Sequence, residues 1–259
     1  MARAAAAEIE PLSRPAAEAH SSEVWARYYE TNNSSLLAVP WESDYSLDAA
    51  ERKAISRSIA EFQKGESSEG MHLIAQARKH ATASEDPAYL DATILFIKEE
   101  QRHARDLRKY MTLRDIPPAA SAWPDTAFRF IRHLAGLELS ICVLVTAEII
   151  AQSYYPALRK ATKDPVLIRL CDQIISDEDA HVAFQTERIA SLRESASPLR
   201  KKVSELMHGL LFSGTTVVVW IQHRPVFVRA GFTFSSYWTD CWKYYRQAAA
   251  RICQPDYRK

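Results

Sequence analysis

The chain contains two Glu-x-x-His pairs, Glu100–His103 and Glu178–His181, and both lie in segments with a helical pattern. Residues three positions apart on a helix are neighbours, with about 5–6 Å between their Cβ atoms. Each pair can therefore offer one carboxylate and one imidazole to the same metal ion. A single pair of this kind is common on exposed helices, so one pair alone would predict nothing.

The two pairs occupy equivalent positions in an internal repeat. Asp86-Pro87 and Asp164-Pro165 both match the start of a helix, with Asp as the cap and Pro at the first helical position. In both copies the Glu follows the Asp by 14 residues and the His follows it by 17. We therefore expect two helical hairpins that present the same groups at the same depth.

A third carboxylate, Glu148, stands inside the apolar stretch LSICVLVTAEIIA at 139–151. An unpaired carboxylate in a buried helix would cost several kcal/mol or would have to take up a proton. No Lys or Arg lies within a helical turn of it. The sequence therefore predicts that Glu148 faces a metal cation.

Two residues compete for the remaining carboxylate position, Glu66 and Glu69 in the segment GESSEGMHL. Glu69 is favoured because 31 residues separate it from Glu100, close to the 30 residues between Glu148 and Glu178. Glu66 is then expected near the site or in solvent. His72, three residues after Glu69, is either an additional ligand or a hydrogen-bonded histidine beside the site.

The predicted site combines four carboxylates with two imidazoles. Its ligands are Glu69, Glu100, His103, Glu148, Glu178 and His181, with Glu66 and His72 as further candidates. Four negative charges neutralise two divalent ions. Mixed oxygen and imidazole ligands suit iron or manganese better than copper or a structural zinc. We predict two iron ions, leave manganese or a mixed Mn/Fe centre open, and predict no catalytic residue beyond the ligands.

Helical patterns divide the chain into residues 1–45, a tail with a short helix, and a single helical domain at 46–259. The domain has a bundle core at 60–195 and a C-terminal extension at 196–259. The predicted helices span about 22–30, 63–83, 87–113, 125–162, 165–193 and 198–222, with an aromatic final helix after residue 230. Ser46 is the predicted cap of the pattern that leads into 63–83, and Gly65 and Gly70 are expected to kink it.

Three prolines bear on these boundaries. Pro156 is expected to bend the 125–162 helix or to end its regular part, because proline lacks the N–H donor. His223-Arg224-Pro225 is expected to end the helix that follows Pro198. The TTVVVW segment at 215–220 is short and is the one β-like run, so no sheet is predicted.

Composition limits the class of protein. The 259 residues are 47% apolar with a net charge of +1, which predicts a globular domain without an electrostatic footprint for nucleic acid. The four cysteines form no Cys-x-x-Cys, which argues against a zinc knuckle, and a reducing cytoplasm is expected. The N-terminus lacks a signal-peptide pattern, and no apolar segment reaches the roughly 20 residues needed to cross a bilayer, so no membrane span is expected.

Two stretches carry a family resemblance. IKEEQRHARDLRKYMTL, with Glu99, Glu100 and His103, resembles a metal motif of the soluble acyl-carrier-protein desaturases, and ISDEDAHVAF, with Asp177, Glu178 and His181, is similar to another. The chain thus resembles the ferritin-like non-haem di-iron superfamily, oxygenase and desaturase branch, over about residues 60–195. The resemblance implies an all-α, ferritin-like four-helix bundle with extra N- and C-terminal helices. It also implies that Glu99 and Asp177 accept hydrogen bonds from the metal-bound histidines.

The expected function is oxygen activation by a di-iron enzyme of the hydroxylase, N-oxygenase or desaturase type. Its partners would be O2, a small-molecule or carrier-bound substrate, and an external electron donor, because the sequence carries no flavin, haem or iron–sulfur motif. A homodimer is left open. The alternatives are a ferroxidase or iron-storage protein and a helical bundle that has lost its metal.

Overall fold

The structure, a computed structural model, describes residues 20–67, 70–119 and 136–253. Every regular element in these ranges is an α-helix, which confirms the all-α prediction. The helices are α1 (Ser22–Asn33), α2 (Ala49–Glu66), α3 (Met71–Ala83), α4 (Pro87–Leu113), α5 (Leu137–Ala161), α6 (Pro165–Arg193), α7 (Pro198–Arg229) and α8 (Phe234–Cys253). The TTVVVW segment therefore lies inside α7. Residues 1–19 and 125–135, on which the predicted tail and the start of one helix fall, lie outside the described residues.

The helices α4 and α6 begin as the repeat predicts. Asp86 accepts a hydrogen bond from the Tyr89 backbone N–H at 3.1 Å, and Asp164 accepts one from the Val166 N–H at 3.0 Å. Proline follows the cap residue in each case. Asp164 also pairs with Arg114, Nε to Oδ2 2.6 Å, which joins the end of α4 to the start of α6.

The helices pack as a bundle in which α5 lies at the centre. The most extensive contact joins α5 and α6, while α4 packs against α1, α2, α3 and α6. The extension covers this core, with α7 on α5 and α2, and α8 on α6 and α5. A helix with neighbours on several sides buries apolar residues around most of its circumference. Ile149, Tyr154 and Leu158 of α5 accordingly have no exposed surface.

The pattern predicted over 46–83 is interrupted rather than kinked. α2 ends at Glu66 and α3 begins at Met71, so the expected helix at 63–83 consists of two elements. Gly70 adopts a left-handed φ of 64°, and a Cβ at this position would lie 2.6 Å from the Ile97 side chain. Glycine is therefore required here both by its conformation and by the close approach of α4. The predicted cap was also wrong, because Asp48 caps α2 through the Glu51 N–H.

Two prolines lie inside helices. The prediction that residues 223–225 end α7 was wrong, because α7 continues through Pro225 to Arg229. The next two residues, Val226 and Phe227, are fully buried, and this packing offsets the one backbone hydrogen bond that proline removes. In the same way α5 continues through Pro156 to Ala161.

Two helices, α5 and α7, are long and apolar enough to cross a membrane by length and composition alone. The expectation that no apolar segment reaches this length therefore does not hold by this measure. The most apolar window of α5 is 78% buried, whereas that of α7 is only 22% buried. This is weak evidence for a membrane span, because the core helix of a soluble bundle passes the same test.

Candidate metal centre

The bundle brings the two Glu-x-x-His pairs together. The ligand atoms of Glu100, His103, Glu178 and His181 all lie within 4.8 Å of one another. His181 Nδ1 is 2.8 Å from Glu100 Oε1 and 3.7 Å from Glu178 Oε2, while His103 Nδ1 is 3.7 Å from Glu100 Oε1. Glu100 is partly exposed, and the other three side chains are buried. This cluster could hold a metal ion.

The atoms that face one another in this cluster form no hydrogen bond of good geometry, although His181 Nδ1 and Glu100 Oε1 lie within ion-pair distance at 2.8 Å. Within the described chain, Nδ1 of both histidines, Oε1 of Glu100 and both carboxylate oxygens of Glu178 are buried without a hydrogen-bond partner. Buried polar atoms in proteins are almost always hydrogen-bonded. A proton shared between His181 and Glu100 would satisfy only part of this group, whereas a cation bound between the four residues would satisfy all of it, so these residues fit a metal site.

The opposite nitrogen of each imidazole is anchored by the other helix. His103 Nε2 lies 3.0 Å from Asp177 Oδ2, and His181 Nε2 lies 3.0 Å from Glu99 Oε2. When Nε2 carries the proton and donates it to the carboxylate, Nδ1 keeps its lone pair for a metal. Glu99 and Asp177 are thus placed as the family resemblance implies.

Two further side chains bind both of these anchoring carboxylates. Asn32 of α1 donates through Nδ2 to Glu99 Oε1 at 2.6 Å and to Asp177 Oδ1 at 2.8 Å. Arg102 donates through Nη2 to Asp177 Oδ2 at 2.6 Å and to Glu99 Oε1 at 3.3 Å. Burial alone would raise the pKa of Asp177, but the contacts with His103, Arg102 and Asn32 outweigh it and lower that pKa. The same balance, dominated by His181, lowers the pKa of Glu99.

Glu148 of α5 points into the cluster from a third helix. Its Oε2 lies 4.0 Å from His181 Nδ1, and its Oε1 accepts a hydrogen bond from Gln185 Nε2 at 3.0 Å. The carboxylate is buried, and among the described residues it forms no ion pair with Lys or Arg. No Lys or Arg among the described residues therefore supplies the cation expected for Glu148, and the ion-pair partner found there is the imidazole of His181.

Glu66, the last residue of α2, approaches from a fourth helix. Its Oε1 accepts a hydrogen bond from Tyr155 Oη at 2.8 Å, and its charge contributes to raising the pKa of Glu100. The favoured residue, Glu69, lies outside the described residues and stays a prediction. His72 is half-buried near the start of α3 and is not part of the cluster of four.

The cluster binds protons tightly in the absence of a cation. Burial, followed by the charges of Glu148 and Glu66, raises the pKa of Glu100 well above its usual value. Burial and the charge of Glu148 do the same for Glu178. Burial would lower the pKa of His181, but the surrounding carboxylates, led by Glu100, raise it well above its usual value. A divalent ion would take the place of these protons.

Aromatic rings close one side of the site. Phe96 lies 4.9 Å from His181 between ring centroids, and Tyr29 lies 6.1 Å from it. Phe184 packs against both of these rings. The Tyr29 hydroxyl is buried without a hydrogen-bond partner among the described residues, and burial raises its pKa well above the usual value. The wall excludes water, which strengthens electrostatic interactions within the site.

Several residues of this site were not predicted. Asn32 and Tyr29 reach it from α1, at positions that no local spacing connects to the Glu-x-x-His pairs, whereas Gln185 follows His181 by four residues, about one helical turn. Arg102 carried a usable signal, because it follows Glu99 by three residues and buried carboxylates need a cation.

The chain was compared with protein-family models, with curated proteins and with solved structures, and nothing matched it in any of the three comparisons.

Proposed function

We propose that the protein is a non-haem di-iron oxidoreductase that activates O2 and oxidises an organic substrate. The observation that carries the proposal is the convergence of two imidazole Nδ1 atoms and two carboxylates, buried or nearly so, without hydrogen bonds of their own. A cation bound between these groups would satisfy atoms that the described side chains leave without hydrogen bonds.

The ligand pattern favours two ions rather than one. Glu100, His103, Glu178 and His181 would hold them, Glu148 would add a third carboxylate, and Glu66 or Glu69 would complete the set. A Glu from each of two helices and a Glu-x-x-His pair from each of two others is the ligand pattern of ferritin-like di-iron bundles. We therefore propose a ferritin-like arrangement of α2–α3, α4, α5 and α6. Oxygen and imidazole ligands favour iron, with manganese as the nearest competitor.

The protein's own part in the reaction is to position and protect the site. When bound, the iron ions supply the redox and O2 chemistry. Glu99 and Asp177 hold the imidazole rings with Nδ1 turned inward, and Arg102 balances part of their charge. Tyr29, Phe96 and Phe184 keep water from that side of the cluster.

The reaction class follows from a buried iron pair without a second cofactor motif. Hydroxylation, N-oxygenation and desaturation all need O2, an oxidisable substrate and electrons. Because the sequence carries no flavin, haem or iron–sulfur motif, we infer an external electron donor. The substrate is a small molecule or one attached to a carrier.

Anaerobic loading with Fe(II), followed by stopped-flow mixing with O2, tests this proposal. We expect a transient visible absorption band in the wild-type protein and its loss in Glu100→Ala. Asp172→Asn is the matched control, because Asp172 pairs with Arg159 on the surface of the same bundle. Slow growth of a ferric mineral, or a cage-sized assembly in size-exclusion chromatography, would instead support iron storage and overturn the oxygenase assignment.

A further inference from the structure

The outward face of α7 carries a continuous row of exposed apolar side chains, which we call the α7 stripe. Each member lies three, four or seven residues from another member, so all of them lie on one side of the helix. They are Leu199, Val203, Leu206, Met207, Leu210, Val217, Ile221 and Val228. Between 37% and 73% of each side chain is exposed. Gly214 falls in the same row, and a Cβ there would meet nothing within 4 Å.

The opposite face of α7 is fixed to the bundle, so the stripe cannot turn inward. Phe212 and Phe227 have no exposed surface. His208 Nε2 contacts Thr146 Oγ1 at 3.2 Å, and His223 Nδ1 contacts Ser58 Oγ at 2.8 Å. These polar bonds hold α7 along the side of the protein. An apolar row of this length on a helix so anchored marks an interaction surface.

The charges beside the stripe have one sign. Lys202 and Arg224 are exposed near its two ends, and no charged residue lies between Leu206 and His223. The one acidic residue of α7, Glu205, points to the other side of the helix, where its Oε1 lies 3.7 Å from Cys253 Sγ. The stripe is therefore flanked by cations and by no carboxylate of its own helix.

This charge pattern opposes pairing of the stripe with a second copy of itself. In a parallel two-fold pair each cation would face its own copy, which is unfavourable. In an antiparallel pair the stripe would bring no carboxylate to either cation, because Glu205 is directed to the other side of α7. A surface that is apolar and negatively charged matches the stripe instead.

We propose that the α7 stripe binds the surface of a membrane that contains anionic lipids, with α7 lying in the plane of the membrane. Apolar side chains enter the boundary between headgroups and acyl chains, while cations contact anionic headgroups, as in other interfacial amphipathic helices. The rest of the bundle stays in water on the far side of α7. This inference does not depend on the metal centre.

Sedimentation of the full chain with lipid vesicles tests the proposal. Vesicles of phosphatidylcholine alone are compared with vesicles containing about 30% phosphatidylglycerol, because anionic lipid is the variable of interest. We expect binding to the anionic vesicles that weakens as salt rises. The double variant Leu210→Glu/Ile221→Glu should lower the partition coefficient at least about tenfold. Lys202→Glu/Arg224→Glu should lower it about tenfold on anionic vesicles.

Leu36→Glu is the matched control, because Leu36 is 40% exposed on the α1–α2 connection and lies outside the stripe. It should bind like the wild type, and all variants should keep wild-type helicity by circular dichroism. Equal binding to neutral and anionic vesicles, or no binding by the wild type, would overturn the proposal. So would a wild-type dimer, detected by analytical ultracentrifugation without lipid, that Leu210→Glu/Ile221→Glu converts to a monomer.

Discussion

Nε2 of His103 lies 3.0 Å from Oδ2 of Asp177, the residue directly before the Glu of the opposite Glu-x-x-His pair. The mirrored contact joins His181 to Glu99 at 3.0 Å. Each of the helices α4 and α6 thus supplies one imidazole and the carboxylate that orients the imidazole of the other. The crossed contacts link the two helices and keep both Nδ1 atoms directed at the cluster.

Replacing Asp177 by Asn should weaken metal binding without unfolding the protein. The amide cannot hold the His103 imidazole as a charged acceptor does, so we expect about a 10- to 100-fold loss of Fe(II) or Mn(II) affinity. Competition with a chelator measures it. Asp172→Asn, on the same helix but paired with Arg159 at the surface, should bind metal like the wild type. Equal affinity of Asp177→Asn and wild type would show that the crossed contact does not support the metal site.

Replacing Asn32 by Ala should destabilise the protein by about 1–3 kcal/mol, because two buried carboxylates lose a donor. Asn32 connects α1 to Glu99 and Asp177 at 2.6 and 2.8 Å. Urea unfolding of the metal-free protein measures the effect. Asn33→Ala is the control, since Asn33 is the next residue of α1 and is exposed. If both variants lost the same stability, the loss would come from helix α1 in general and not from the bridge.

Metal binding should release protons, and affinity should rise with pH. Glu100, Glu178 and His181 have raised pKa values in the metal-free site, so they hold protons that a divalent ion must displace. Titration calorimetry in buffers of different ionisation enthalpy counts the protons released. Glu100→Gln, which cannot hold an ionisable proton at that position, should release fewer. Binding without proton release would contradict the described charge state of the site.

The buried side chain of His223 should make the free energy of unfolding depend on pH. Burial, assisted by the charge of Arg57, lowers the pKa of His223 from 6.5 to about 3. Above pH 6.5 His223 is neutral in both the folded and the unfolded protein, so proton binding does not reduce the free energy of unfolding there. As pH falls from 6.5 towards 3 the unfolded chain binds the proton first, so the free energy of unfolding declines, by on the order of a few kcal/mol at the acidic end.

Urea unfolding of wild type and His223→Gln at a series of pH values checks this effect. The variant should show a smaller decline over that range. Some slope should remain, because burial also lowers the pKa of His208 to about 4. Measurements above neutral pH give the cost of the substitution itself. An unchanged slope in the variant would mean that His223 does not control acid stability.

Local chemistry made part of this structure predictable from the sequence. The pairs Asp86-Pro87 and Asp164-Pro165 mark the starts of α4 and α6. Each Glu-x-x-His pair then lies at the same distance along its helix from the capping Asp. The apolar residues around Glu148 are likewise its neighbours in the sequence. These local features predict that the two Glu-x-x-His pairs and Glu148 belong to one site.

Other features depend on contacts between distant segments. Asn32 reaches Glu99 across 67 residues and Asp177 across 145, a relationship that no periodicity encodes. Pro225 predicted the end of α7, but the burial of Val226 and Phe227 keeps the helix intact. Gly70, which precedes α3, lies so close to the Ile97 side chain of α4 that a Cβ would not fit there. In each case tertiary packing outweighed the local preference.

Metal content after anaerobic loading with Fe(II) tests the central claim most directly, with Glu148→Ala measured beside the wild type. Glu148 is buried 4.0 Å from His181 Nδ1, so it should be needed for the metals but not for the fold. We predict about two iron ions per wild-type chain, and at most about one in Glu148→Ala with unchanged far-UV helicity. A wild-type content below roughly a tenth of an equivalent, or two ions retained in Glu148→Ala, would contradict the account.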